Sequence, residues 1–323
     1  MLKEIMSYFG LKKEFTQAGY FEIESHTKLF EEVKAAIQTG KLIAFCGIVG
    51  YGKTTALWRI QKDLQQEKKI LVSQSLAVDK DRIKLPTLIQ ALYYDLSSGK
   101  EVNIPSQAEK RERKLRRLIQ KQNRPVALFI DEAHELHGST LKSLKKLMEL
   151  IKKDGNVLSV VLSGHPRLKI DLRRSIREEI GARTTVFVFE GIKGIEQYYI
   201  EWLLDQCRTA KIESSDIITD EAINLLSERL VTPLQIEHYL TLAFEEAYQL
   251  GQKPVTLDIT ESVLANDIDD LEPRLTRYGY NIKSLSEQFH LRPKEVRYFL
   301  NGRLSSERSR EITNEMLAAG IPL

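Results

Sequence analysis

A lysine, two threonines and two carboxylates stand in two short strings, and their types suit chemistry on a phosphoanhydride. The first string is GIVGYGKTT, Gly47 to Thr55; the second is VALFIDEAH, Val126 to His134. The first fits G-x-x-x-x-G-K-[ST] with no mismatch. Gly47, Gly50 and Gly52 let the backbone turn so that its N–H groups point inward and cradle phosphate oxygens. Lys53 is placed to reach the outer phosphates. The Thr54 hydroxyl is a ligand for Mg²⁺, and Thr55 continues the turn into a helix whose N-terminus favours anions. The second string is an apolar run closed by Asp131, which suits a Mg²⁺-holding strand end, and Glu132, which suits a general base acting on water. With Lys53 and Asp131 78 positions apart, the pair of strings predicts a P-loop ATPase using ATP and Mg²⁺. DEAH does not by itself indicate a helicase, because the other helicase motifs are missing from the sequence.

The elements that must position these residues follow from apolar periodicity. Apolar runs at about 41–46, 69–75, 126–131, 156–163 and 184–190 alternate with helical patterns, the order expected of a five-stranded parallel α/β sheet with the phosphate loop after its first strand. A helix is expected from about Ser25 to Gln38. After Glu190 the strand signals stop, and four amphipathic stretches read as a helical lid. Near the C-terminus, two helices meet at His290-Leu291-Arg292, with Pro293 opening the second. Leu285, Phe289, Val296, Phe299 and Leu300 form one small apolar face, a helix-turn-helix shape. The expected divisions are a lead-in at 1–40 packed on the core, a P-loop core at 41–192, a lid at 193–272 and a C-terminal helix-turn-helix-like unit at 273–323.

The 323 residues carry 48 Lys/Arg and 45 Asp/Glu, a net charge of +3, so global charge does not require a polyanionic partner. The surplus is uneven. Residues 273–323 hold nine Lys/Arg against five Asp/Glu, and the run from Lys110 to Arg124 holds eight Lys/Arg. Such runs suit either a solvated helix face or contacts to a phosphate backbone. Two cysteines, Cys46 and Cys207, are too few for a disulfide framework or a zinc site. No signal peptide and no apolar run near membrane-spanning length is present, so the expectation is a soluble cytoplasmic protein with no membrane partner.

SYFGLKKEF, GIVGYGKTT, FIDEAHEL, VVLSGHPRL and GARTTVFVFEGI together resemble the ExeA-type AAA+ ATPases, a family close to the TnsC, TniB and Mu-phage B ATPases that regulate DNA transposition. The resemblance covers roughly residues 1–265. It implies an AAA+ core, a helical lid, and a homo-oligomer (ring or helical filament) that assembles on duplex DNA with ATP, recruits a transposase and answers to a target-selector protein. It implies that Ser163, with His165 as runner-up, senses the γ-phosphate. It also implies that Arg183 is an arginine finger, a role for which Arg173, Arg174 and Arg177 compete. Leu234 stands where family members carry a sensor arginine in the lid, which implies a slow, switch-like ATPase. Tyr20, Phe21 and Ile23 are candidates for the adenine pocket. The loops expected to face DNA carry Lys80, Arg82, Lys84 and Thr87 in one segment, and Gln107 to Arg111, with Lys110 and Arg111, in another.

Two other functions are weighed against this one. A secretion-linked ExeA-type ATPase calls for a membrane segment or a peptidoglycan-binding tail, and neither is visible. A non-hydrolysing DNA-binding adaptor is disfavoured by the intact Lys53, Thr54, Asp131 and Glu132. For the C-terminal unit, docking to a partner is favoured over a DNA contact through Lys294, Arg297 and Arg303. Glu295 and two aromatics occupy its second helix, and the terminal string AAGIPL reads as a segment for a partner's groove.

Overall fold

The structure, a computed structural model, describes residues 2–75, 84–97, 103–175, 184–264, 271–321 and 323. Two compact units emerge. One comprises Glu22–Gly47 and Gly52–Phe189; the other comprises Met1–Phe21, Ile48–Tyr51 and Glu190–Leu323. Helix α1 (Leu2–Phe9) opens the chain and belongs to the second of these.

The first unit is an α/β sandwich. Its elements are α2 (Glu24–Gln38), β1 (Leu42–Cys46), α3 (Lys53–Glu67), β2 (Leu71–Gln74), α4 (Leu85–Leu96), α5 (Ala108–Gln122), β3 (Val126–Ile130), α6 (Gly138–Lys153), β4 (Leu158–Gly164), α7 (Pro166–Ser175) and β5 (Thr184–Val188). The five strands form one all-parallel sheet in the order β2-β3-β4-β1-β5. Every residue of β1, β3 and β4 is buried, as expected of continuous apolar runs covered by helices on both faces. Because β4 lies beside β1, the chain reverses its winding at β1, and the carboxyl ends of β1, β4 and β3 are neighbours. A doubly wound sheet binds its ligand at such a switch point.

Helices α4, α5 and α6 cover part of this sheet through Leu88, Leu92, Tyr93, Leu115, Ile119, Leu144 and Leu147. The basic run from Lys110 to Arg124 is partly consumed by structure. Arg113 pairs with Glu109 at 3.1 Å, Arg116 pairs with Asp154, and Arg124 donates to the Lys68 carbonyl at 2.8 Å. Cys46 is buried at the end of β1, and burial pushes its thiol up to about 11, so it acts as a small apolar side chain.

The second unit is helical: α8 (Glu196–Cys207), α9 (Asp220–Arg229), α10 (Pro233–Gln249), α11 (Leu257–Leu264), α12 (Leu271–Arg277), α13 (Ile282–Phe289), α14 (Pro293–Leu300) and α15 (Ser306–Ala318). Phe9 and Phe15 pack edge-on against Phe244 of α10, with ring centroids 4.7 and 5.4 Å apart. Phe21 packs against Tyr199 and Trp202 of α8. The turn between α13 and α14 forms as the sequence suggests. A capping box joins Asn281 and Ser284, His290 ends α13 in the left-handed region, and Pro293 opens α14.

One expectation fails here. The terminal AAGIPL is not a segment left over for a partner. Ile321 is 1 % exposed and joins Leu275, Tyr280, Leu285, Val296, Phe299, Ile312 and Met316 in a small core of its own, with Leu323 packed against it. A third helix, α15, supplies Ile312 and Met316 and brings the tail back over α13 and α14.

Candidate active site

Lys53, Thr54, Asp131 and Glu132 come together at the carboxyl end of the sheet. Lys53 is the first residue of α3 and is buried. Burial lowers its pKa, while Glu132 and Asp131 pull it back up. The Thr54 hydroxyl donates to Asp131 Oδ2 at 2.7 Å. Asp131 Oδ1 accepts from the Glu132 backbone N–H at 2.9 Å. A hydroxyl and a carboxylate side by side are hard oxygen donors, a set that fits Mg²⁺. Thr55 is exposed in the first turn of α3, which carries no acidic residue to offset the positive end of the helix.

Each glycine of the loop has a separate reason to be glycine. A Cβ on Gly47 would lie 2.5 Å from the Phe189 carbonyl oxygen. Gly50 and Gly52 have φ of +88° and +86°, the left-handed region that side chains avoid. The tip of the loop, Ile48–Tyr51, is bound within the helical unit. Val49 N–H donates to the Arg277 carbonyl at 2.9 Å. A Cβ on Gly50 would meet Thr232 Oγ1 at 2.7 Å and Leu234 Cβ at 3.1 Å. Leu234 is thus an exposed side chain beside the loop tip.

Glu132 itself has φ +54° and ψ +37°. A non-glycine residue in this region is uncommon and costs ~1–3 kcal/mol, a strain met most often at functional sites. A tight turn, Ala133–Glu135, follows and brings His134 onto the end of β4. There the His134 and His165 rings lie 3.8 Å apart, and His134 Nδ1 is 3.4 Å from Glu132 Oε2. Burial, then His134, Lys53 and Arg167, lower the pKa of His165 to about 3, so its imidazole is neutral. Ser163 is fully buried on β4, and its hydroxyl finds no hydrogen-bond partner among the described residues. The His134–His165 pair was not visible as a pair in the sequence. FIDEAH and LSGHP each end a strand, and only the adjacency of β3 and β4 joins them.

The remaining expected site residues are placed less fully. Arg177, Arg183, Lys80 and Arg82 lie outside the described residues. Of Arg173 and Arg174 only the backbone, within α7, is described. Lys84 is exposed just before α4, and Thr87 is half-buried in its first turn. Lys110 is exposed on α5. Arg111 is half-buried, its carbonyl accepting from the Tyr93 hydroxyl at 2.6 Å. Lys110 and Lys114 line a groove of about 540 Å³ with Asn103, Pro105, Ser106 and Gln107.

Residues 36–170 match the protein family described as "AAA domain". A comparison with curated proteins gives no match. Among solved structures, the Aeropyrum pernix ORC2 protein in its ADPNP–ADP complexes is similar at 15% identity and a TM-score of 0.59, covering 95% of this chain and 84% of that one. Drosophila ORC bound to DNA is similar at 14% identity and a TM-score of 0.54, covering 100% and 80%. Cdc6p from Pyrobaculum aerophilum is similar at 13% identity and a TM-score of 0.50, covering 97% and 89%. The chain therefore has the fold of the AAA+ P-loop ATPases, with the AAA match spanning β1 to β4 of its sheet.

Proposed function

We propose that this chain is an ATP-driven switch that assembles on duplex DNA and regulates transposition by recruiting a transposase. The observation that carries the ATPase part is the joining of Thr54, Asp131 and Glu132 beside Lys53. Lys53 and the α3 N-terminus bind the phosphates. Thr54 and Asp131 hold Mg²⁺, which screens phosphate charge when bound. Glu132 accepts a proton from the attacking water, and Ser163 reports the γ-phosphate to β4. Arg183 completes the site of a neighbouring subunit, so ATP promotes assembly.

Support for DNA comes from Lys84, and from Lys110 and Lys114 along a polar groove at the start of α5. Such contacts neutralise phosphates and carry little base readout, so binding is expected to be sequence-tolerant and steeply salt-dependent. One similar fold, that of Drosophila ORC, is bound to DNA. The transposase reading rests on the resemblance of the motif set to the TnsC and TniB ATPases.

The test is duplex-DNA binding measured by fluorescence anisotropy, without nucleotide, with ATP and with ADP, for the wild type and Glu132→Gln. The expected result is ATP-dependent binding that persists in Glu132→Gln while phosphate release stops. DNA binding indifferent to nucleotide, or a Glu132→Gln variant turning over near the wild-type rate, would overturn it. Addition of transposase to the DNA-bound oligomer then tests recruitment, which co-sedimentation reads directly.

A further inference from the structure

Glu132, His134 and His165 offer one ligand atom each, and all three atoms lie within 4.8 Å of one another. His134 Nδ1 and Glu132 Oε2, at 3.4 Å, are already near the separation of two ligands on a tetrahedral ion with bonds of about 2.0–2.1 Å. The positions are built into the fold. Glu132 is held in its left-handed conformation at the end of β3. The turn after it fits closely over Gly164, where a Cβ would lie 3.4 Å from His134 N and 3.0 Å from the Leu168 side chain. His165 follows Gly164 directly and opens onto α7. Its Nδ1 is buried and has no hydrogen-bond partner among the described residues. A buried imidazole nitrogen without a partner is a group for which a ligand supplies the explanation.

We propose that Glu132, His134 and His165 form a site for a borderline divalent transition ion, Zn²⁺ in the first place, distinct from the Thr54–Asp131 pair. Two imidazoles and one carboxylate leave the fourth position of a tetrahedral ion to water, the donor set of an open zinc site. Imidazole nitrogen selects Zn²⁺ and its neighbours over Mg²⁺, which takes oxygen. The charges facing the cluster oppose one another: Asp131 and Glu132 against Lys53 and Arg167, with Arg167 paired to Asp171 at 3.4 Å. A metal held here occupies the Glu132 carboxylate, so it blocks hydrolysis while leaving Lys53 and Thr54 for the nucleotide. This last consequence rests on Glu132 being the base; the metal site does not.

The test uses the full chain with Co²⁺ as a spectroscopic probe and Zn²⁺ in competition with a chromophoric chelator, both in excess Mg²⁺. The wild type is expected to show the visible bands of four-coordinate Co²⁺ at one equivalent, displaced by Zn²⁺. His134→Gln and His165→Gln are each expected to weaken binding by ~100-fold, the upper end of the loss seen on removing even an outer-shell partner. His137→Gln, three residues from His134 and outside the cluster, should bind as the wild type does. Retained binding of labelled ADP checks that each variant is folded. A wild type without the four-coordinate spectrum overturns the site, whatever the variants do, and so does binding that survives both histidine changes. Zn²⁺ bound at the site with ATP turnover undiminished would support the metal site and refute Glu132 as the base.

Discussion

The Thr54 hydroxyl donates to Asp131 Oδ2 at 2.7 Å, tying the first turn of α3 to the end of β3. This bond sets how far apart two hard oxygen ligands sit. Thr54→Ala removes one ligand and one of the two hydrogen bonds to the Asp131 carboxylate described above. We expect it to weaken ATP binding by ~10-fold or more in excess Mg²⁺, the value of a charge-assisted contact of about 1.5–3 kcal/mol. With Mg²⁺ chelated, the difference should shrink. Titration with a fluorescent nucleotide in both conditions reads this, and an equal loss in the two would refute the pairing as a metal site.

Gly47→Ala tests the start of the loop. Its new Cβ would stand 2.5 Å from the Phe189 carbonyl, a backbone atom that moves only with the end of β5. The expected cost is ~1–3 kcal/mol of stability, typical of overpacking a dense site, together with loss of nucleotide affinity. Chemical denaturation with and without nucleotide checks both. Unchanged stability would mean that this end of β5 yields more easily than its geometry implies.

A pH dependence follows from Glu237. Burial raises the pKa of its carboxyl, and the Tyr199 hydroxyl, donating at 2.7 Å, partly offsets this. Tyr199 is itself raised, first by burial and then by Glu237, so it stays a donor. With its pKa above the unfolded value near 4.5, the folded state holds this proton more tightly. The contribution to stability is complete below pH 4.5 and is lost as pH rises through the folded value. Glu237→Gln keeps an acceptor for Tyr199 without the charge. Its gain in Tm should be small near pH 4 and larger near pH 8. A gain that does not grow with pH would remove the assignment.

Ile321→Ala distinguishes a structural tail from a docking tail. Ile321 is 1 % exposed within the core of α13, α14 and α15. Truncating it should destabilise that module by ~2–5 kcal/mol, seen as earlier proteolytic release of the C-terminal fragment. A free docking segment would show no such change.

Much of the fold was legible because its signals are local. The buried strands announce themselves as apolar runs, and the glycine loop and the α13–α14 turn carry their own chemistry. Thr54, Asp131 and Glu132 were legible because their spacing marks the two strand ends. What escaped depends on contacts between distant residues. The turn after the left-handed Glu132 brings His134 N close over Gly164, 32 positions beyond Glu132. The His134–His165 contact exists only because β3 and β4 are neighbours. Ile321 looked like spare apolar chain because its partners, Leu285 and Val296, lie on helices whose packing no short window reveals.

The hydrogen bond from Val49 N–H to the Arg277 carbonyl has a bearing on how this molecule could be probed under load. Arg277 closes α12, whose Leu275 belongs to the core of the C-terminal helical module. A nucleotide that reshapes the loop must keep this bond or break it, and whichever it does is felt equally in reverse. Tension applied to the C-terminal module should therefore alter the nucleotide off-rate. An optical-trap measurement could read that change from a chain whose sheet is never touched.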